Sequence, residues 1–408
     1  MSTTYEPGGP VPAEMIPLCV PQIAGNEGKY IQDCIDTGWV SSVGSYVDRF
    51  EKMIAERMGT QFAVATVNGT SALQVALKVG GVEPDDEVLC STLTFIASAN
   101  AIRYANAWPV FIDAEPLHWQ MDPNLVEDFL TERCDWKNGA LRNRQTGRRV
   151  RAIEPVHVLG HSVDMDPILE LARRFDLLVV EDAAEALGTK YKDQLVGGLG
   201  DLGCTSFNGN KLITTGGGGM IVTNDEALAR KARYLTTQAK DDPIEYVHNE
   251  IGFNFRLPNI LAAFGCAQAE RLEDYISAKR RVAAQYHQEL AGIPGVIPFE
   301  SSCDVFCTWW LYTIQIDSAE FGRTSRELRR ELHEQNIQTR PLWQAMHDSP
   351  AHQPAQVMNA GVAERLVAEC LSLPCSVGIT ADQVSRVCQT VRHIQQQVQS
   401  RRALRGAA

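Results

Sequence analysis

Short apolar segments recur through the first half of the chain, at residues 62–67, 87–90, 108–112, 151–156 and 177–181. Each is too short for an ordinary helix, and helical patterns separate them at 72–79, 95–105 and 167–175. Strands that alternate with helices do not close on tight hairpins; they line up in a mainly parallel sheet with helices on both faces. Residues 177–182, Leu-Leu-Val-Val-Glu-Asp, show this best, as an apolar run fit for burial on both faces that ends in acids. The expected fold class is α/β.

Ahead of this rhythm, residues 29–36 and 45–58 read as amphipathic helices, the second with Val47, Phe50, Ile54 and Met58 on one face. A loop of small residues at 37–44 joins them. Residues 131–150 are charged and weakly periodic, an excursion from the core. After about residue 258 the pattern changes to long helix (260–290), strand (309–316) and helices at 325–335, 362–370 and 381–398. At 408 residues the chain exceeds one small domain. The expected division is a large unit over 15–258 and a smaller α+β unit over 259–400. A flexible leader is expected at 1–14 and a frayed, basic end at 399–408.

A formal charge of −12 argues against general binding to nucleic acid or acidic membranes. It still allows an anionic small substrate held by local basic residues. No apolar run reaches the length of a membrane span, and the start lacks the basic-then-apolar pattern of a secretory signal. The 11 cysteines are scattered, and Cys90, Cys204 and Cys266 sit in apolar surroundings suited to reduced, buried thiols. A cytoplasmic protein is expected. Cys303 and Cys307 form the one tight pair, without partner ligands at zinc spacing, so no metal is expected there.

The chemistry centres on residues 206–211, Ser-Phe-Asn-Gly-Asn-Lys, followed shortly by Gly216 to Gly219. Strand-like apolar segments flank this stretch at 202–207 and 220–222. A lysine recessed in such a turn can shed its proton and attack a carbonyl carbon, because desolvation disfavours an ammonium. Alone, the pattern also describes a surface lysine beside a hairpin. Asp182 adds weight, because it ends a buried strand and ligands of open α/β sheets gather beyond strand carboxyl ends. A recessed lysine and a strand-end aspartate are what pyridoxal phosphate requires. The lysine makes the Schiff base, and the aspartate keeps the pyridine nitrogen protonated.

Other patterns have competing readings. Asn68-Gly69-Thr70-Ser71 opens a helix after a strand, as an anion site built on unpaired N–H groups or as a plain N-cap. His157 and His161 have a metal-ligand spacing for a helix, but Gly160 between them favours a loop and no third ligand is evident. Gly198-x-Gly200-x-x-Gly203 matches a dinucleotide fingerprint, yet it precedes a strand where the fingerprint follows one. Nicotinamide binding is therefore not expected.

Ser206-x4-Lys211 with its glycine run, Glu181-Asp182-Ala183-Ala184 and the Gly-Phe-Asn-Phe-Arg-Leu-Pro segment at 252–258 together resemble the motifs of the DegT/DnrJ/EryC1/StrS family. These are the sugar-nucleotide aminotransferases that use pyridoxal phosphate. Residues 339–343 and 371–374 resemble late segments of that family. The resemblance implies fold type I, the aspartate-aminotransferase type, with a large central-sheet domain and a smaller C-terminal one. It implies that Lys211 is both Schiff-base residue and proton shuttle, and that Asp182 faces the ring nitrogen. It further implies that Thr70, Ser71 and Ser206 hold the cofactor phosphate and that Phe95 stacks on the ring, against the rival reading of a core phenylalanine. Glu185 falls where relatives carry Gln or His near the cofactor hydroxyl, which is a departure. The loop containing His157 is implied to lie near the site, with a substrate role for that residue.

Asn254 matches a position from which a neighbouring subunit reaches the phosphate, which implies a homodimer with shared active sites. The implied reaction moves an amino group from L-glutamate to a keto-sugar nucleotide. Segments 37–43, 157–165 and 236–242 look closest to the branch acting on UDP-4-keto-6-deoxy-N-acetylhexosamines, ahead of GDP-4-keto-6-deoxymannose amination. A sugar dehydratase of the same fold would carry histidine in place of Lys211. A non-catalytic relative would not need Lys211 and Asp182.

Overall fold

Strands β1 (Phe62–Thr66), β2 (Glu87–Ser91), β3 (Trp108–Ile112), β4 (Val150–Glu154), β5 (Leu178–Asp182), β6 (Leu202–Ser206) and β7 (Gly219–Thr223) form one sheet. Gln356–Met358 completes it, in the order β1-β7-β6-β5-β4-β2-β3 and then 356–358. The computed structural model describes residues 15–242 and 244–406, so the leader expected at 1–14 lies outside the described residues. From β6 to the far edge every neighbour runs parallel, and β7 alone is reversed, against both β6 and β1. The reversal follows from the connection at 207–218. It is a loop carrying Lys211; the crossovers from β1 to β5 carry helices, and the one from β5 to β6 carries a short hairpin of Lys190–Tyr191 with Gln194–Leu195.

Side chains alternate between two cores, as the pleat requires. Val88 and Cys90 of β2 pack with the helices Gly69–Val79 and Ala97–Tyr104, and Leu89 packs with Pro123–Glu132 and Met165–Arg174. In β5, Leu178 and Val180 join the first side and Val179 the second. Each such fully buried side chain contributes about 1.5–3 kcal/mol, which makes a sheet covered on both faces worth building.

Two helices missing from the sequence reading, Pro123–Glu132 and Glu226–Thr236, begin at aspartates. Asp122 accepts from the Asn124 N–H at 2.9 Å, and Asp225 from the Ala227 N–H at 2.7 Å. The Asp-Pro start at 122–123 was a usable signal. The excursion at 131–150 holds a hairpin of Cys134–Lys137 with Ala140–Asn143. Of the end expected to fray at 399–408, residues 399–406 are helical, since the last helix runs Ala381–Gly406, and 407–408 lie outside the described residues. Its Gln, Arg, Ala and Leu residues are good helix formers, and no proline interrupts them.

The later part of the chain builds an antiparallel sheet of Val296–Pro298, Tyr312–Ile316 and Cys370–Leu373. Helices Leu272–Leu290, Ser325–Glu334 and Gly361–Glu369 accompany it, and Ile16 and Leu18 join its core. Packing crosses residue 258. Ala262, Cys266 and Ala269 of helix Asn259–Ala269 pack against Val47, Phe50 and Ile54, and 356–358 returns to the edge of β3. Among the described residues no helix is long and apolar enough to cross a membrane.

Candidate active site

The carboxyl ends of β5 and β6, the helix start after β1 and loops of the smaller sheet enclose a pocket of about 590 Å³. Thr70, Phe95, Asp182, Glu185, Ser206 and Lys211 all line it. Ser71 is buried beside it, with its N–H donating to Asn68 Oδ1 at 2.8 Å, and Asn254 is exposed and outside the lining. Phe95 is 53% exposed, which excludes the reading of a core phenylalanine.

The loop between β6 and β7 delivers Lys211. It can turn there because Gly216 adopts φ +81°, and because Gly219 sits where a Cβ would meet the Asn68 carbonyl carbon at 2.5 Å. The Lys211 side chain is 12% exposed, with Nζ 3.6 Å from Glu185 Oε1 and 4.2 Å from the centroid of the Trp310 ring. Trp310 Nε1 donates to the carbonyl of Asn210 at 2.8 Å, which pins the turn next to the lysine. The sequence reading did not name Trp310; the Trp309-Trp310 pair was its only signal.

Asp182 ends β5 and is 4% exposed. Its Oδ2 accepts from Ser98 Oγ at 2.8 Å and its Oδ1 from the Ala184 N–H at 3.1 Å. Glu185 follows in a turn, not on a helix, and its Oε2 accepts from the Leu159 N–H at 2.9 Å. Burial pushes the Glu185 carboxyl up to about 7, against the pull of Lys211. An acid poised near neutrality beside an amine can exchange protons with it.

Asn68 caps the helix Gly69–Val79, and the N–H groups of Gly69 and Thr70 have no acceptor among the described residues. Ser206 closes over this helix start, so near that a Cβ on Gly69 would lie 2.9 Å from Ser206 Cβ. One pocket thus holds an anion-binding helix start, a buried carboxylate and a recessed amine. These residues fit the phosphate, ring nitrogen and aldehyde of pyridoxal phosphate.

The sequence model of the DegT/DnrJ/EryC1/StrS aminotransferase family matches residues 21–392. The chain belongs to this family. It is 39% identical over 376 residues to the GDP-perosamine synthase of Caulobacter vibrioides, covering 91% of this chain and 96% of that protein. Identity to the GDP-perosamine synthase of Escherichia coli O157:H7 is 38%, over 92% and 97% of the two chains. The crystal structure of DesI in the presence of its TDP-sugar product superposes with a TM-score of 0.85 at 26% identity, covering 98% of each chain. The enzyme is a pyridoxal-phosphate aminotransferase of fold type I.

Other sequence readings are corrected or explained by the fold of this aminotransferase. His157 is fully buried and absent from the pocket lining, so it does not meet substrate. Its Nδ1 accepts from the Val163 N–H at 3.1 Å, and its Nε2 donates to Glu181 Oε2 at 2.9 Å. The strand before it ends inside the molecule, which carries the loop under the surface. His161 is likewise engaged, with Nδ1 donating to the Ser162 carbonyl at 2.8 Å and Nε2 accepting from the Ser302 N–H at 3.0 Å. Burial pushes His161 down to about 3. The glycines at 197–200 cradle a carboxylate where a dinucleotide loop would hold phosphate. Glu181 accepts from the N–H groups of Gly197, Leu199 and Gly200 at 2.7, 2.7 and 2.6 Å.

Glu154, at the end of β4, escaped the sequence reading. It is fully buried, and neither carboxyl oxygen has a hydrogen-bond partner among the described residues. Burial, then the charge of Asp182, pushes its carboxyl well above the usual range, so the native state holds it as a neutral acid. The unfolded chain releases that proton from the ordinary carboxylate range upward. Stability from Glu154 is therefore complete below that range and is lost as pH rises toward the folded value. Glu154→Gln keeps the shape without the proton. Its unfolding free energy relative to wild type, measured by denaturant titration, is expected to rise from about pH 5 to about pH 8, by at most about 1.4 kcal/mol per pH unit. A difference that stays flat across those pH values would contradict this.

Proposed function

We propose that the enzyme transfers an amino group from L-glutamate to the C4 keto carbon of a nucleotide-linked 4-keto-6-deoxy sugar, as a homodimer with shared sites. The observation that carries this reading is the convergence of Lys211, Asp182 and the helix start at Gly69 and Thr70 on one pocket, with the exposed Arg340 also in its lining. A guanidinium there suits a diphosphate-bearing acceptor. Bound pyridoxal phosphate supplies the electron sink and carries the amino group between half-reactions. Lys211 Nζ takes the proton from the donor's α-carbon and moves protons at the sugar C4, with Glu185 3.6 Å away to exchange protons with it.

The similarity to GDP-perosamine synthases supports GDP-4-keto-6-deoxymannose as the acceptor, while the loop segments at 37–43 and 236–242 support UDP-4-keto-6-deoxy-N-acetylglucosamine. The test is incubation of the cofactor-loaded enzyme with L-glutamate and each acceptor in turn, with the product identified by mass and NMR. Amination at C4 of the GDP sugar, at a kcat/KM at least about tenfold above the UDP sugar, supports the reading; that ratio corresponds to about 1.4 kcal/mol in the transition state. A cofactor band that responds to glutamate while neither sugar is aminated overturns it.

Asn254 carries the dimer. It is exposed and lies outside its own chain's pocket, as a residue serving a neighbour would. Asn254→Asp would set a negative charge beside a phosphate and leave that homodimer nearly inactive, as Lys211→Ala would. In a mixed dimer, the Asn254→Asp chain contributes its intact Lys211 to a site completed by the other chain's Asn254. Equal mixing makes about half the dimers mixed, each with one good site, so about a quarter of wild-type activity is expected to return. A mixture that stays dead after verified subunit exchange removes Asn254 from the neighbour's site.

A further inference from the structure

Behind one wall of the Lys211 pocket, a buried ammonium is set among sulfurs. Lys279, on helix Leu272–Leu290, is 1% exposed and pairs with no carboxylate among the described residues. Its Nζ donates to the Trp310 carbonyl at 2.7 Å and lies 3.6 Å from Cys19 Sγ and 3.7 Å from Cys375 Sγ. A buried ammonium without an anion is costly, and here the groups able to supply one are the two thiols.

The two cysteines are held side by side. The Cys375 N–H donates to the Leu18 carbonyl at 2.8 Å, and the Val20 N–H donates to Ser376 Oγ at 2.9 Å, so the chain segments carrying the thiols are tied on both sides of Cys19. Both sulfurs face the same ammonium, Lys279 Nζ, at 3.6 and 3.7 Å. Their access differs. Cys375 is 1% exposed, whereas Cys19 is half-buried, lines the Lys211 pocket and places Sγ 3.5 Å from the Asn210 carbonyl. The titratable groups facing Cys19 are Cys375, Lys279 and, from the β6–β7 loop, Lys211. The neighbouring Cys375 thiol, then the lysine charges, hold the Cys19 thiol below the usual range against the effect of burial, while Cys375 is pushed up.

We propose that Cys19 and Cys375 form a redox-active thiol pair at the active-site wall, in which Cys19 attacks hydroperoxides that enter the pocket and Cys375 resolves the product to a disulfide. In the first step the Cys19 thiolate takes one oxygen of hydrogen peroxide. The O–O bond breaks, and the departing hydroxide leaves as water with a proton that the Lys279 ammonium is placed to relay. In the second step the Cys375 sulfur attacks the Cys19 sulfenic sulfur, the S–O bond breaks and a second water leaves. Two thiols lose two electrons and two protons, and one peroxide becomes two waters. The disulfide removes the anion beside Lys279 and ties Cys19, whose Sγ lies 3.5 Å from the Asn210 carbonyl oxygen, to Cys375, so oxidation reaches the residue next to Lys211.

The test uses the full chain with cofactor bound. Brief iodoacetamide treatment near neutral pH is expected to label Cys19 at least about tenfold faster than the exposed Cys303, because the thiolate is the reacting form. Hydrogen peroxide, followed by alkylation in denaturant and peptide mapping, is expected to give one cross-linked pair, Cys19 with Cys375. That pair should be lighter by two hydrogens and restored by dithiothreitol, with Cys303 still alkylated. In Cys375→Ser the oxidised Cys19 should persist as a sulfenic acid that dimedone traps. Lys279→Met should slow the labelling of Cys19; if that chain fails to fold, the wild-type comparison of Cys19 with Cys303 decides. The proposal is overturned if Cys19 labels no faster than Cys303. It is equally overturned if peroxide oxidises Cys303 while Cys19 and Cys375 are both recovered as alkylated thiols.

Discussion

Lys211→Ala is expected to lower transamination by at least roughly 1,000-fold, within the range attributed to a lost general acid–base group, while the cofactor still binds. Among the described residues Lys211 carries the one amine in the pocket lining, so no neighbour there replaces it. The helix start at Gly69, Ser206 and Asp182 do not depend on it, so the phosphate and ring contacts survive. The lysine side chain is 12% exposed and packs on Trp310 without filling a core, so the fold should hold. Without the lysine charge, burial on Glu185 is opposed only by the Leu159 N–H, and that carboxyl is held more firmly protonated. Single-turnover amino transfer from glutamate, together with equilibrium dialysis of pyridoxal phosphate, checks both halves. A small primary amine added to the variant should recover part of the rate by entering the space left behind. Turnover at the wild-type rate would remove Lys211 from the chemistry.

Asp182→Asn is the second large effect. The amide keeps the shape, and its NH2 can no longer accept the bond that one carboxylate oxygen takes from Ser98 Oγ or from the Ala184 N–H. The larger consequence is the lost charge. A carboxylate beside a protonated ring nitrogen favours that proton by about 1–3 pKa units, so kcat is expected to fall by roughly 10- to 1,000-fold. KM should change much less, because the charge acts on the electron sink in the transition state and not on the sugar. Steady-state kinetics with the favoured acceptor separates the two constants. An unchanged kcat would place the ring nitrogen elsewhere.

Lys211 and Asp182 were both legible in the sequence, because their settings are local. A continuous apolar run ending in Glu-Asp announces a buried strand with its acid at the edge, and a lysine before four glycines announces a turn in which the backbone can pack closely. Turn chemistry and side-chain periodicity act over a few residues, so a short window contains their causes. The same holds for the helix start at Asn68 and for the rejection of the G-x-G-x-x-G match, which needed only the order of strand and loop.

What joins these pieces is tertiary. Lys211 reaches the edge where Asp182 ends because β5 and β6 are adjacent and parallel, with Cys204 opposite Asp182. The reversal of β7 then folds the loop back over the helix start. No window covers Trp310 over Lys211, or Lys279 between Cys19 and Cys375, since those partners lie about 100 to 260 positions apart. Burial settled the rest. His157 was assigned to substrate from the loop it occupies, yet it sits fully enclosed with both ring nitrogens engaged. Glu154 became a neutral acid, and Glu185 one poised near neutrality, through desolvation. Desolvation depends on every segment packed around a group. The sequence alone therefore determined which residues could do chemistry, and the packing of the whole chain decided which of them meet and in what protonation state.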